Sequence, residues 1–248
     1  MKKALVVGGA SGIGAGIANA LPQLGYDVKI ADIHPRIAGQ LSVDATSLSS
    51  IQQLLEKVSS EWASIDLLLI TIGAIDEGEI TNTGANKWMW LLNANLLGIT
   101  NLVDTFLPLV SASEEKRIVL TSSGSGIGPY EPGSKLGLYT ISKHALWGYF
   151  KVLHAELKGS IHVSLLIPSA VKGDLAANSA TMRANALGET VDETKGGQPT
   201  GRQLADADET GKMFASDIIA GKVIITNDTA LIEHKLAAEK EWVMQLIQ

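Results

Sequence analysis

Short apolar, β-branched runs alternate with longer segments of helical period along almost the whole chain, and few architectures accommodate that rhythm. The runs fall at 3–8, 27–32, 40–43, 66–72, 116–122, 161–167 and 222–226, and the helical segments lie near 12–24, 47–61, 85–110, 137–158 and 206–220. Several runs are apolar without alternation, which fits strands covered on both faces. Strand followed by helix, repeated, implies parallel strands joined by right-handed crossovers, with helices on both sides of the sheet. The expected fold is α/β: a doubly wound parallel sheet, Rossmann-type, of about seven strands in a single domain spanning 1–248.

Composition supports a sizeable core, with 46% hydrophobic and 19% charged residues in 248. The net charge of -6 lacks the basic field of a nucleic-acid binder, so no nucleic-acid partner is expected. Absence of cysteine excludes disulfides, thiolate metal sites and a cysteine nucleophile, and no metal is expected. The apolar start after Lys2 and Lys3 stops at Gly8-Gly9, shorter than a signal h-region of roughly 7–15 residues. No run approaches the ~20 apolar residues of a membrane span, so the expectation is a cytoplasmic protein with no membrane partner.

Gly8-Gly9-Ala10-Ser11-Gly12-Ile13-Gly14 follows the first strand directly and opens the first helix. Glycine lets the backbone turn sharply and approach a pyrophosphate, whose charge then rests on the helix N-terminus. Glycine also serves ordinary tight turns, so context decides. The second run ends in Ile30-Ala31-Asp32, about 20 residues after the loop. A carboxylate there accepts hydrogen bonds from the adenosine ribose of NAD and repels the 2′-phosphate of NADP. Gly8, Ser11, Gly12, Ile13, Gly14 and Asp32 are therefore the dinucleotide candidates, and NAD is the expected cofactor. His34 and Arg36 stand close enough to meet a phosphate, which leaves NADP disfavoured rather than excluded. Asp44 fits two roles, a partner for the adenine amino group or a turn cap.

Tyr139-Thr-Ile-Ser-Lys143 sets a phenol and an ammonium four residues apart, on one helix face. A neighbouring cation favours the ionised phenol, whose ordinary pKa of about 10 is too high for proton transfer near neutrality. Tyr139 then gives a proton to a carbonyl being reduced or takes one from an alcohol being oxidised. Upstream, Thr121-Ser122-Ser123 ends a strand at the same sheet edge, where a serine hydroxyl can meet the substrate oxygen or simply cap the strand. Asn95 falls on the apolar stripe of Trp88, Leu92, Ile99, Val103 and Phe106. Its buried amide needs partners. Two readings stay open, a bond that stabilises a helix bend and a water held for proton relay to Lys143.

Residues 174–205 carry Gly188, Gly196, Gly197, Pro199 and Gly201 with weak periodicity, just after the sixth strand. A stretch of that kind at the carboxyl edge of the sheet reads as a substrate lid. At the other end, 229–248 reads as an amphipathic terminal helix packing on the sheet or on a neighbouring subunit.

Together these residues resemble the short-chain dehydrogenase/reductase family over about residues 1–226, with its glycine pattern on Gly8, Gly12 and Gly14 and its tetrad on Asn95, Ser123, Tyr139 and Lys143. The resemblance implies an NAD(H)-dependent oxidoreductase that interconverts a secondary alcohol and a ketone or aldehyde, with Tyr139 as acid/base and Ser123 positioning the substrate oxygen. It also implies that Lys143 bonds the nicotinamide ribose, that Gly73 and Pro168 flank the cofactor, and that the chain forms a homo-tetramer or homo-dimer, often through the helices of 85–110 and 137–158. Trp147, Tyr149 and Phe150 are subunit contacts or core.

Departures from the family pattern are local. Val7 replaces a threonine, Ile70-Thr71-Ile72-Gly73 replaces Asn-Asn-Ala-Gly, and Pro168-Ser169 and Gly173 replace Pro-Gly and a threonine. The Ser123–Tyr139 interval is longer than usual, so 130–138 is expected in the substrate wall, and Ser122 is the fallback serine. Ile127, Leu136, Leu138, Leu175 and Met182 suggest a moderately apolar substrate, while Arg183 faces an anionic group or water. The alternatives are a cofactor-independent lyase, as in halohydrin dehalogenases that resemble this family, and a non-catalytic dinucleotide-binding scaffold. The retained glycines and Lys143 argue against the first, and the intact tetrad against the second.

Overall fold

A computed structural model describes residues 1–191 and 204–247. Seven strands form one sheet: β1 (Lys2–Val7), β2 (Tyr26–Asp32), β3 (Leu41–Ser42), β4 (Leu67–Ile70), β5 (Arg117–Thr121), β6 (His162–Leu166) and β7 (Ile224–Ile225). Their order is β3-β2-β1-β4-β5-β6-β7, and every pairing is parallel. All seven expected runs contain a strand, and β3 to β7 are each shorter than their runs. The chain reverses its direction across the sheet between β1 and β4, which leaves a crevice at the carboxyl ends of those strands.

Burial explains why polar alternation is missing. In β4, Leu68 and Ile70 enter the core under one sheet face while Leu67 and Leu69 enter the core under the other. β1 divides Leu5 and Val7 from Ala4 and Val6 in the same way. Each such fully buried aliphatic side chain contributes about 1.5–3 kcal/mol.

Eight helices cover the sheet among the described residues: α1 (Gly12–Ala20), α2 (Leu48–Ser59), α3 (Ala85–Leu92), α4 (Gly98–Ser111), α5 (Gly137–Glu156), α6 (Leu175–Leu187), α7 (Ala207–Ile219) and α8 (Thr229–Ile247). A single π turn, Asn93–Leu97, joins α3 to α4. By length and a mean hydropathy of 1.2, Ala85–Ser111 is apolar enough to cross a membrane, closer to that limit than the sequence reading allowed. Its apolarity is spent on the core instead, where Ile99, Leu102, Val103 and Phe106 are fully buried.

On the other face, α1 and α7 touch at backbone level. A Cβ on Gly16 would lie 2.1 Å from the Ala207 carbonyl oxygen, and one on Gly211 would lie 2.2 Å from the Gly16 carbonyl carbon. Only glycine allows this approach.

Two expectations change. Residues 174–205 contain a regular helix, α6, rather than an aperiodic stretch. Five alanines make that segment a strong helix former without giving it an apolar stripe, so a search for periodicity misses it. It ends at Gly188, whose φ of +67° suits a left-handed cap. The part of the expected lid from 192 to 203 lies outside the described residues. The terminal helix, expected to pack on the sheet or on a neighbouring subunit, is present as α8 but buries no described residue fully within this chain. Leu231, Ile232 and Lys235, near its start, touch the body.

Candidate active site

A cavity of about 750 Å³ opens at the carboxyl edge, large enough for a cofactor and a small substrate. Its lining includes Gly8, Ser11, Gly12, Ile13, Gly14, Asp32 and Asp44 at one end. Gly73, Ser123, Tyr139, Lys143 and Pro168 line the remainder. Of the residues singled out from the sequence for catalysis or cofactor binding, Asn95 is not in the lining, nor are His34 and Arg36, named as able to meet a phosphate.

At the glycine loop the backbone leaves no room for side chains. Gly8 has a φ of +88°, and a Cβ on Gly14 would stand 2.2 Å from the Gly8 carbonyl oxygen. The loop is pinned from two sides. Thr71 donates its hydroxyl hydrogen bond to the Val7 and Gly8 carbonyl oxygens, at 3.1 and 2.9 Å. The Asp32 carboxylate accepts from the Ala10 and His34 amides, both at 3.0 Å. Thr71 thus supplies from β4 a polar tie where the family usually has a threonine in β1, at the position of Val7. Asp44 accepts from the Thr46 amide and hydroxyl at 2.8 and 2.7 Å, forming the turn before α2 while also facing the cavity.

The fit to a dinucleotide rests on this cradle: a glycine-rich loop opening α1, whose N-terminal amides have no side-chain cap, with a carboxylate at its far end.

The catalytic candidates come from three elements. Tyr139 and Lys143 lie one turn apart in α5, and Ser123 follows β5. Burial raises the Tyr139 pKa, and a hydrogen bond with Ser123 pulls it the other way. The lowering by a neighbouring cation expected from the sequence is not found: burial outweighs it and the net direction is upward. Burial also lowers Lys143 to about 8, and its Nζ donates to the Thr121 carbonyl oxygen at 3.2 Å. Its ammonium sits 5.8 Å from the Tyr139 ring centroid. Of the two serines, Ser122 faces the Lys143 carbonyl oxygen at 3.5 Å, so Ser123 is the one paired to the phenol.

Asn95 is fully buried behind this group. Its Oδ1 accepts from the Ala74 amide at 2.6 Å, and its Nδ2 donates to the Ala74 carbonyl oxygen at 2.8 Å and to Ser142 Oγ at 2.9 Å. Ser142 in turn donates to the Tyr139 carbonyl oxygen at 2.7 Å. The side chain therefore fastens the π turn and the turn after β4 to the Tyr139–Lys143 stretch of α5.

The end of the cavity away from the glycine loop is built from side chains. Asp76 is buried and meets Lys87 Nζ of α3 at 2.6 Å and Arg183 of α6 at 3.0 Å. Arg183 also faces Glu189 at 3.4 Å, so it is an internal partner of α6 rather than a free anion receptor. Ser179 Oγ accepts from the Ile75 amide at 2.9 Å. Arg36, beyond β2, pairs with Asp174 at the start of α6. Lys235 of α8 pairs with Glu131 at 2.9 Å beside Leu231, and all three line the cavity.

Tyr130, Glu131, Ser134 and Leu136 place the expected 130–138 stretch in the wall, as do Leu175 and Met182 in α6. Ile127 and Leu138 are core residues instead, 3% and 4% exposed. Phe150 is core as well, and Trp147 and Tyr149 pack partly buried against it. After β6, Ser169 is clamped by Asn227, whose Oδ1 accepts from the Ser169 amide at 2.8 Å and whose Nδ2 donates to the Ser169 hydroxyl at 2.7 Å. Sequence reasoning missed Asn227, Asp76 and Ser142, since their partners are far away in the chain. Thr71 carried a signal, as a polar residue where the family pattern was broken.

The family model described as short chain dehydrogenase matches residues 2–184. The oxidoreductase UcpA of Escherichia coli K12 is 27% identical over 228 residues, covering 86% of each chain. A short chain dehydrogenase/reductase from Burkholderia phymatum, solved in complex with NAD, superposes with a TM-score of 0.82 at 22% identity, over 98% of this chain and 95% of that one. The Pseudomonas aeruginosa RhlG/NADP active-site complex gives 0.70 at 23% identity, over 93% and 96%. At such identities these two structures speak to the fold.

Proposed function

The chain belongs to the short-chain dehydrogenase family, and on that premise we propose that it is an NAD(H)-dependent oxidoreductase interconverting a secondary alcohol and a ketone or aldehyde. The observation that carries the proposal is the convergence of Ser123, Tyr139 and Lys143 in one cavity with the glycine loop and Asp32. When bound, the nicotinamide supplies or accepts the hydride.

Tyr139 Oη moves the proton. Its raised pKa keeps it protonated near neutral pH, ready to donate to a carbonyl oxygen; alcohol oxidation instead needs the phenolate, which the Lys143 ammonium beside the ring favours. Ser123, bonded to the phenol, presents its hydroxyl to the same oxygen as charge develops there. Lys143, at about 8, is largely an ammonium near neutrality and fits the nicotinamide ribose hydroxyls. Gly73, whose Cβ would come within 3.3 Å of Lys143 Nζ, and Pro168 keep the adjoining walls low. Asp32 retains free lone pairs for ribose hydroxyls, and its charge opposes a 2′-phosphate, which favours NAD. Asp44 is suited to the adenine end. α6, which lines the cavity, acts as the substrate lid.

The same reading makes the protein a cytoplasmic homo-tetramer or homo-dimer. Exposed Met89, Leu97, Ile141 and Val152 supply an apolar surface on the helices of 85–111 and α5 for that assembly, which light scattering would measure.

Calorimetric titration with NADH and NADPH separately tests the core of the proposal. Tight NADH and much weaker NADPH would support it and justify screening secondary alcohols. Binding of neither would sink it and favour the lyase or scaffold alternatives.

A further inference from the structure

Arg36 lies just beyond Asp32, where a guanidinium would suit the 2′-phosphate of NADP. It is already engaged. Its NH2 donates to the Asp174 carboxylate, far along the chain at the start of α6. Asp174 lines the same cavity wall as Asp32 and Gly12. Its side chain makes no capping bond to α6 itself, so the pairing with Arg36 accounts for its orientation. The backbone beside it is equally close to the loop: a Cβ on Gly173 would lie 3.2 Å from Gly12 Cα. The pair therefore stands at the adenosine end of the cleft, with Asp174 in its lining and Arg36 beside it.

We infer that Asp174 is a cofactor-selectivity residue: it occupies the arginine that a 2′-phosphate would otherwise recruit. Two effects then oppose NADPH from the α6 side. The phosphate has to displace a carboxylate from Arg36, and it enters a wall that carries a second negative charge beyond Asp32. NADH makes neither demand. The inference rests on the NAD(H) reading of the cavity but adds a residue that lies outside the glycine loop and the β2 end.

Both side chains are nearly half exposed, 46% and 45%, so their replacement does not threaten the core. An exposed ion pair is a modest device, and the expected effect is about a fivefold change in selectivity. The experiment measures the NADH and NADPH dissociation constants for wild type, Asp174→Asn, Arg36→Ala and the double variant. A fall of about fivefold in the NADPH-to-NADH ratio of dissociation constants for Asp174→Asn, clearly smaller when Arg36→Ala is the background, supports the inference. An unchanged ratio overturns it. An equal fall in both backgrounds also overturns it, because Asp174 would then act through bare charge and not through Arg36. If wild type binds neither dinucleotide, the reading of the cavity itself has failed and the inference falls with it, an outcome distinct from the other three.

Discussion

At the dinucleotide end the cavity wall is mostly backbone, whereas at the substrate end it is side chains drawn from four separate elements. Around Gly8 and Gly14 the contacts are between main-chain atoms, and the polar ties from Thr71 and Asp32 go to main-chain groups. Around Asp76 the contacts are ion pairs among the turn after β4, α3 and α6, with α8 adding Lys235 on the opposite side. A wall of backbone has one solution and tolerates no added atom. A wall of paired charges can exchange partners, lose one and still stand, so it is the part free to change with substrate.

The largest effect should come where the two ends meet. Tyr139→Phe should lower turnover by about 10²–10⁴-fold while NADH binding, measured calorimetrically, stays close to wild type. Wild-type turnover in that variant would remove Tyr139 from the chemistry. At the backbone end, Gly14→Ala should weaken NADH by about a hundredfold and destabilise the fold by about 1–3 kcal/mol in thermal unfolding, because its methyl group meets fixed main-chain atoms. Gly148→Ala in α5, with nothing within 4 Å of its Cβ, should instead be neutral or stabilising by up to about 1 kcal/mol. Equal behaviour of the two variants would erase the contrast.

Lys143 sharpens the comparison through pH. Burial sets it at about 8, so it loses its proton as pH rises through that value, well below the ordinary 10.5 of a lysine. Carbonyl reduction that uses the ammonium should therefore fall about tenfold per unit above pH 8. Lys143→Arg should abolish that limb, because guanidinium does not titrate there. A profile flat to pH 10 in wild type would show that the charge is not needed.

The smallest effect belongs to the side-chain wall. Arg183→Ala leaves Asp76 paired with Lys87, so the loss should be about 2 kcal/mol, below the 3–5 kcal/mol of a buried charge stripped of all partners. KM for the substrate should rise severalfold with NADH affinity unchanged. Loss of NADH binding instead would mean that the two ends are not separable.

The same division decides what could be read in advance. Seven strands, the glycine loop, Asp32, Tyr139 and Lys143 follow from periodicity and short spacings, because strand burial, a tight turn and an i, i+4 pair are local. Asp76 with Arg183, Arg36 with Asp174 and Ser169 with Asn227 are pairings across the chain, and no spacing announces them. α6 escaped for a different reason: alanine-rich helix carries propensity without a stripe. Ile127 and Leu138 were placed in the pocket on hydrophobicity alone, which cannot tell a cavity wall from the core behind it.

The contact between Gly16 and Gly211 bears on how the molecule comes to exist. The helix that opens at the phosphate loop is backed by one made more than three-quarters of the way along the chain. During synthesis, α1 emerges early and waits with an uncovered apolar face until α7 has left the ribosome. So distant a contact is closed late and slowly. The helix that follows the most legible loop of the sequence thus gains its backing only after most of the chain has been made.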